Sequence, residues 1–323
     1  MNRYYKRIVL AAGILAVAVS LLVICAQVSA GGIYARHRRN SRLIGESYMT
    51  MNNEFYRILS EEISHRVEAE GDRLVLRDPA LSVERQIRQI QSMLDMGIDA
   101  LVVAPVDWSS LSPVLGQAKD AGVRIIVVDT NVMDETLADC TITSDNYSAG
   151  YLVGRYFREN HSRAKVLLMT HQAAKSGQDR IQGFLDAVEE APGIAIAGQI
   201  ECEGQMEIAM PRLQEAIEAG ADFDNVFCLN DLASVGVAAA LDEYGMLERT
   251  GICGVDGSPD AKALIKEGMM EATAAQFPSR IGAQAADVLY CLLKGEAVEP
   301  VIAVPVELIT ADNVDQYHVG RWQ

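Results

Sequence analysis

From Arg42 onward, short runs of aliphatic and β-branched residues alternate with stretches whose apolar positions recur every three or four residues. The first pattern suits strands buried on both faces and the second an apolar stripe along a helix, so the alternation predicts parallel sheets wrapped by helices. Strands are expected at Leu43–Met49, Arg73–Arg77, Ala100–Ala104, Arg124–Asp129, Ala164–Met169, Ile194–Ile200, Asn225–Leu229 and Gly251–Val255. Between them lie helical segments such as Val83–Met96, where Val83, Ile87, Ile90 and Leu94 share one face and Gly97 closes the last turn.

The strand–helix unit runs in two blocks, one ending near Asp145 and the other near Gln276. Each block is long enough for its own doubly wound sheet. Ligands of such sheets bind beyond the carboxyl ends of the strands, where the loops converge. Read in order, those ends carry Asn52–Tyr56, Pro105–Trp108, Asp129–Asn131, Asn230–Asp231, Asp256–Gly257 and Gln276–Pro278. Carboxylates and carboxamides form paired hydrogen bonds with hydroxyls, and an aromatic face covers the apolar face of a sugar ring. Asp and Asn also follow strands simply because they cap the next helix, and at any single position that reason suffices.

Composition narrows the function classes. The chain has 323 residues, half of them hydrophobic, enough for two domains with their own cores. A formal net charge of −16 repels phosphate backbones and anionic lipid, which argues against nucleic acid as a partner. Arg3, Lys6 and Arg7 precede an uncharged apolar run, Ile8–Cys25, and no charge follows before Arg36. Such a segment addresses a membrane, either as a cleaved signal peptide, for which Val28-Ser29-Ala30 offers a cleavage site, or as an uncleaved anchor of roughly 20 residues. Arg36, Arg38 and Arg39 beyond it blunt any inference of orientation from charge. Ile24 before Cys25 argues against lipid attachment there. The cysteines at 140, 202, 228, 253 and 291 are scattered through apolar stretches and read as buried hydrophobes, not a disulfide framework. The five histidines are not grouped, so no metal site is expected, and no cofactor either. No glycine-rich phosphate loop follows a strand and no nucleophile–base set stands at the strand ends, which argues against an enzyme. His171 ends the run KVLLMTH and reads as a solvated loop residue within reach of the cleft.

Several segments stand together in order: MNNEFY (51–56), VVAPVD (102–107), IIVVDTN (125–131), TSDNYSAG (143–150), QDRIQGFLDAV (178–188), CLNDLASVGVAAAL (228–241), GVDGSPDA (254–261), TAAQFPSRIG (273–282) and VPVELITADNV (304–314). With them the chain resembles the type I periplasmic binding proteins, in particular the ribose-binding-like sugar-binding branch, from about Arg42 to Tyr317. The resemblance implies two doubly wound parallel-sheet lobes joined by a three-crossing hinge, preceded by the N-terminal hydrophobic helix. Residues 1–41 would be the signal peptide or membrane anchor with its linker. Residues 42–145 with 278–303 would form one lobe and 146–276 with 304–323 the other, crossing near Ser144–Asn146, Gln276–Pro278 and Ala303–Pro305. It also implies an extracytoplasmic protein, in the periplasm or on the outer face of the cytoplasmic membrane, that presents a sugar or sugar derivative to an ABC permease. A membrane-tethered sensor reporting to a histidine kinase or receptor is the alternative. A repressor of the lactose-repressor type would need a helix-turn-helix where this chain has its apolar segment.

Carried over by position, the implied ligand contacts are Asn53, Phe55, Tyr56, Asp129 and Thr130 from the first lobe, Gln178, Asn230 and Asp256 from the second, and Gln276 at a hinge, with Phe55 stacking on the ring. The pattern departs from the ribose-binding members in having Thr130 and Gln178 where they have arginines, and Glu203 where they have a stacking Phe. Asp129 and Asp256 would then be enclosed without their usual balance, and unpaired buried carboxylates are costly. A cationic ligand such as an amino sugar, Arg180 turned inward, or one carboxylate held protonated would each supply the balance.

Overall fold

The computed structural model describes residues 41–323. The apolar run at 8–25 and the helix expected there lie outside the described residues. Among the described residues no helix is long and apolar enough to cross a membrane.

The first sheet contains β1 (Leu43–Ser47), β2 (Arg73–Arg77), β3 (Ala100–Val103), β4 (Arg124–Val128), β5 (Cys140–Ser144) and β11 (Val301–Val304), in the order β11-β5-β4-β3-β1-β2 with every pairing parallel. Its helices are α1 (Glu54–Ala69), α2 (Val83–Asp95), α3 (Ser112–Asp120) and, returning late in the chain, α9 (Pro278–Leu293). One core lies on each face: Leu59, Ile63, Ile126 and Leu289 pack on one side, Ile90, Met93, Leu101 and Val127 on the other. The central strands are buried because both faces are covered, which is why ALVV of β3 and IIVV of β4 read as unbroken apolar runs.

The second sheet contains β6 (Ala164–Thr170), β7 (Ile194–Glu201), β8 (Asn225–Cys228), β9 (Gly251–Asp256), β10 (Ala272–Ala275) and β12 (Glu307–Thr310), in the order β12-β10-β9-β8-β6-β7. Only β12 runs antiparallel, against β10. It is wrapped by α4 (Asn146–Asn160), α5 (Lys175–Val188), α6 (Met206–Glu218), α7 (Asp231–Glu243) and α8 (Pro259–Lys266). The chain passes between the sheets from β5 into α4, from β10 into α9, and from β11 into β12.

The second sheet depends on a close approach of α4 and α5. A Cβ added at Gly150 would lie 1.7 Å from the backbone oxygen of Arg180, and one at Gly183 would lie 2.1 Å from that of Tyr147. Glycine at these two points lets the helix backbones touch and sets the depth at which α5 carries Arg180.

The expected strands and the helix ending at Gly97, whose φ is +72°, are present. Strands β5, β10, β11 and β12 were not singled out by pattern. The segment ATAA of β10 has a single β-branched residue and is made a strand by pairing with β9 on one side and β12 on the other.

Candidate functional site

The carboxyl ends of both sheets face each other across a narrow cavity. Its walls come from the β1–α1 loop (Met49, Thr50, Asn53) and α1 (Phe55, Tyr56), from Asp129 after β4, and from His171, Ser176 and Arg180 around the start of α5. Glu203, Gly204 and Gln205 after β7, Asn230 after β8, Asp256 at the end of β9 and Gln276 after β10 close the other side.

The aromatic wall is stacked and pinned. Phe55 meets Tyr56 edge-on with ring centroids 5.4 Å apart, and Tyr56 stacks on Tyr48 at 5.5 Å. The Tyr56 hydroxyl donates to Asp129 Oδ2 at 2.7 Å, holding that carboxylate in place. Asn53 and Asn230 do two things at once. Each caps a helix through Oδ1, accepting from Phe55 N (2.9 Å) and Ala233 N (3.0 Å), and each also lines the cavity. Asp129 caps nothing, and Asp256 accepts one long bond, at 3.4 Å, from Asp231 N at the start of α7. Both sit at positive φ, +67° and +139°, a conformation that costs a non-glycine residue on the order of 1–3 kcal/mol and gathers at functional sites.

Among the described residues Arg180 is the only arginine or lysine in the wall, and it is 4% exposed. Its Nε donates to Asn146 Oδ1 (2.8 Å) and its Nη1 to the Leu229 carbonyl (3.0 Å), while Nη1 stands 3.7 Å from Asp256 Oδ1. Burial raises the Asp129 carboxyl, with Arg180 pulling it back down. Burial likewise pushes Asp256 up to about 6, against the pull of Arg180 and the hydrogen bond from Gln276 Nε2 (2.6 Å). Behind them Asp231, which accepts from Ser258 N and Thr273 Oγ1, is raised well above the usual carboxylate range by burial and by Asp256. The enclosed carboxylates are thus balanced by the inward arginine and by raised proton affinity, so the charge argument alone no longer requires a cationic ligand.

The Oε1 of Gln276 is buried with no hydrogen-bond partner. With Arg180, Asn230, Asp129 and Asp256 around it, the cavity offers donors and acceptors in the mixture that a ring of hydroxyls satisfies.

Of the residues expected from sequence, Asn53, Phe55, Tyr56, Asp129, Asn230, Asp256 and Gln276 stand in this wall. Thr130 and Gln178 do not. Thr130 follows Asp129 and turns away, its Oγ1 accepting instead from Ser176 N at 3.0 Å, a bond between the lobes. Gln178 lies on the outer side of α5 and donates to the Gln172 carbonyl at 2.6 Å. At about 100° per residue it points some 200° away from Arg180. The signal that would have chosen Arg180 is its spacing of four from Ser176, which puts both on one face of α5. His171 is buried at 8% exposure, not solvated, and lines the cavity. Glu203 also stands in the wall, held at φ +52°. Among the described residues no cluster of metal-ligating side chains occurs.

Two parallel-sheet lobes, three crossings and a polar cleft with one aromatic wall define a hinge-closing ligand-binding protein. The chain belongs to the family described as periplasmic binding protein domain, which matches residues 44–297. This is a family of binding proteins, not of enzymes. Relatives include the ribose import binding protein of Bacillus subtilis, 25% identical, with 83% of this chain and 87% of the relative aligned. The D-ribose/D-allose-binding protein of Pseudomonas aeruginosa is 28% identical over 96% of this chain and its own full length. Among solved structures, an ABC transporter solute binding protein from Mycobacterium smegmatis with bound glycerol superimposes with a TM-score of 0.81 at 26% identity, over 88% of this chain and all of the other.

Proposed function

We propose that this protein is the extracytoplasmic solute receptor of an ABC importer and that it closes on a neutral polyhydroxylated ligand, a sugar or sugar-like polyol. The observation that carries the reading is the composition of the closed cleft. Phe55 supplies an aromatic surface, and Asn53, Asp129, Asn230, Asp256 and the unpartnered Gln276 Oε1 line the same cavity with one cation among the described residues, Arg180. Related proteins are named for ribose and allose, and the Mycobacterium smegmatis structure holds glycerol. The ligand bridges the lobes and favours the closed form, which the permease recognises. The apolar run at 8–25 supports export to the far side of the membrane, by a cleaved signal or by a retained anchor over residues 8–30. A retained anchor would equally suit the sensor reading, in which a kinase or receptor replaces the permease.

A thermal-shift screen of the purified protein against neutral sugars, polyols, amino sugars and simple amines tests the proposal, because a ligand that binds only the folded form raises the melting midpoint. Concentration-dependent shifts with pentoses, hexoses or cyclitols are expected. Shifts confined to amines, or to none of the panel, would overturn it.

A further inference from the structure

Beside the ligand cavity lies a second space between the lobes. Leu81, Val83 and Val106 wall it from the first lobe and Ala173 from the second, with Asp107 and Glu201 at its edge. His171 and Glu203 line both spaces and so form the partition between them. The outer space is the larger, about 490 Å³ against about 50 Å³ for the inner one.

Its chemistry differs from that of the inner cavity. Leu81, Val83, Val106 and Ala173 give it aliphatic walls, Gln172 adds a carboxamide, and among the described residues no cation lines it. Asp107 is occupied by Ser109 and Ser110, from which it accepts at 2.7 and 2.8 Å. Glu201 is occupied by the backbone N–H groups of Gln172 and Glu203, at 2.9 and 3.0 Å. Besides the exposed Gln172 carboxamide, two polar groups are left over. The Glu203 carboxylate is exposed and takes no hydrogen bond among the described residues. The His171 ring is more than nine-tenths buried, has no hydrogen-bond partner there either, and touches both spaces. Burial lowers its proton affinity, so it presents a neutral imidazole with one donor and one acceptor.

We propose that the outer space is a second subsite, which receives an apolar, non-anionic substituent carried by the sugar in the inner cavity, so that the ligand is a glycoside and not a free monosaccharide. His171 and Glu203 meet the junction between ring and substituent. The aliphatic walls take the carbon chain, and the two carboxylates at the rim, Asp107 and Glu201, admit an amine at its far end and repel an anion. This rests on the sugar-binding reading above.

Calorimetric titration with one sugar that binds, together with its methyl, n-butyl, 4-aminobutyl and 3-carboxypropyl glycosides, decides the matter. The butyl and aminobutyl glycosides are expected to bind at least tenfold tighter than the free sugar, and the carboxypropyl glycoside no tighter than the methyl one. Ala173→Phe fills the outer space from the second lobe. It is expected to bring the butyl glycoside down to the affinity of the free sugar while leaving the free sugar unchanged, and Val83→Phe from the first lobe should do the same. Equal affinity for free sugar and butyl glycoside, or equal losses for both in the two filled variants, would overturn the subsite while leaving the sugar reading intact. Failure of free sugars and glycosides alike would overturn the sugar reading, and the subsite with it.

Discussion

Asp256 shows how a single residue is held against its own preferences. Its backbone is at φ +139°, its carboxyl is buried at 5% exposure, and its proton affinity is raised to about 6. Each of these costs stability, and each would be relieved by a different side chain. Asp256→Asn keeps the shape but removes the charge that faces Arg180. Calorimetry with a bound sugar should show affinity falling by tenfold or more, about 1.4 kcal/mol or above, while the melting midpoint of the free protein holds or rises. Unchanged affinity would mean that Asp256 is structural. Asp129, Asn230 and Gln276 were legible from their places at strand ends, a rule of backbone topology that needs no knowledge of the side chain. Thr130 and Gln178 stand outside the wall, because at these positions they lack the reach of the arginines that the ribose-binding members have there. The arginine that serves this site stands two residues beyond Gln178, on the opposite face of α5.

At the scale of elements, β1 carries the least expected group. Glu46 lies in the middle of a fully buried strand, and Ser60 Oγ on α1 donates to its Oε2 at 2.6 Å while Oε1 has no partner. Burial pushes its carboxyl from 4.5 up to about 7. The folded protein therefore keeps a proton that the unfolded chain has released, and stability falls as pH rises from about 4.5 to 7. At about 1.4 kcal/mol per pH unit the loss is on the order of 3 kcal/mol. Glu46→Gln, neutral throughout, should flatten this part of the pH–stability curve and raise the melting midpoint at pH 8. A curve as steep as that of the unaltered protein would show that other groups set it. The α4–α5 contact makes a second element-scale prediction. Gly150→Ala must force the two backbones apart, with an overpacking cost of about 1–3 kcal/mol, and because α5 carries Arg180, sugar affinity should fall with it. Retained affinity in a destabilised variant would separate the helix contact from the site. Neither feature stands out in the sequence, since a lone Glu in a strand or a Gly in a helix gains its meaning only from the chain that packs against it. The apolar runs of β3 and β4 need no such partner to be recognised, which is why the sheets were legible where these contacts were not.

For the whole molecule the question is what holds the lobes closed before a ligand arrives. Among the described residues, bonds that join the lobes without one include Asn146 Nδ2 to Asp129 O at 3.4 Å, Trp108 N to Ala173 O at 3.0 Å, Ser176 N to Thr130 Oγ1 at 3.0 Å, and Trp322 Nε1 to Glu54 Oε2 at 3.0 Å. The last comes from a tail anchored on the second lobe, where Gln323 Nε2 donates to the Gly257 carbonyl (2.9 Å) and Lys262 Nζ to that of Arg321 (2.6 Å). The Trp322 ring meets Phe55 edge-on at 5.9 Å, so the tail packs directly against the aromatic wall of the ligand cavity. A contact made only in the closed form shifts the equilibrium toward closure and lowers the apparent dissociation constant by the same factor. Trp322→Ala removes the ring and the indole donor while leaving the anchor at Lys262 and Gly257. Small-angle scattering of the ligand-free variant should give a larger radius of gyration than the unaltered protein, with the two converging at saturating sugar, and affinity should weaken several-fold. Identical scattering without ligand would show that the tail follows closure and does not drive it.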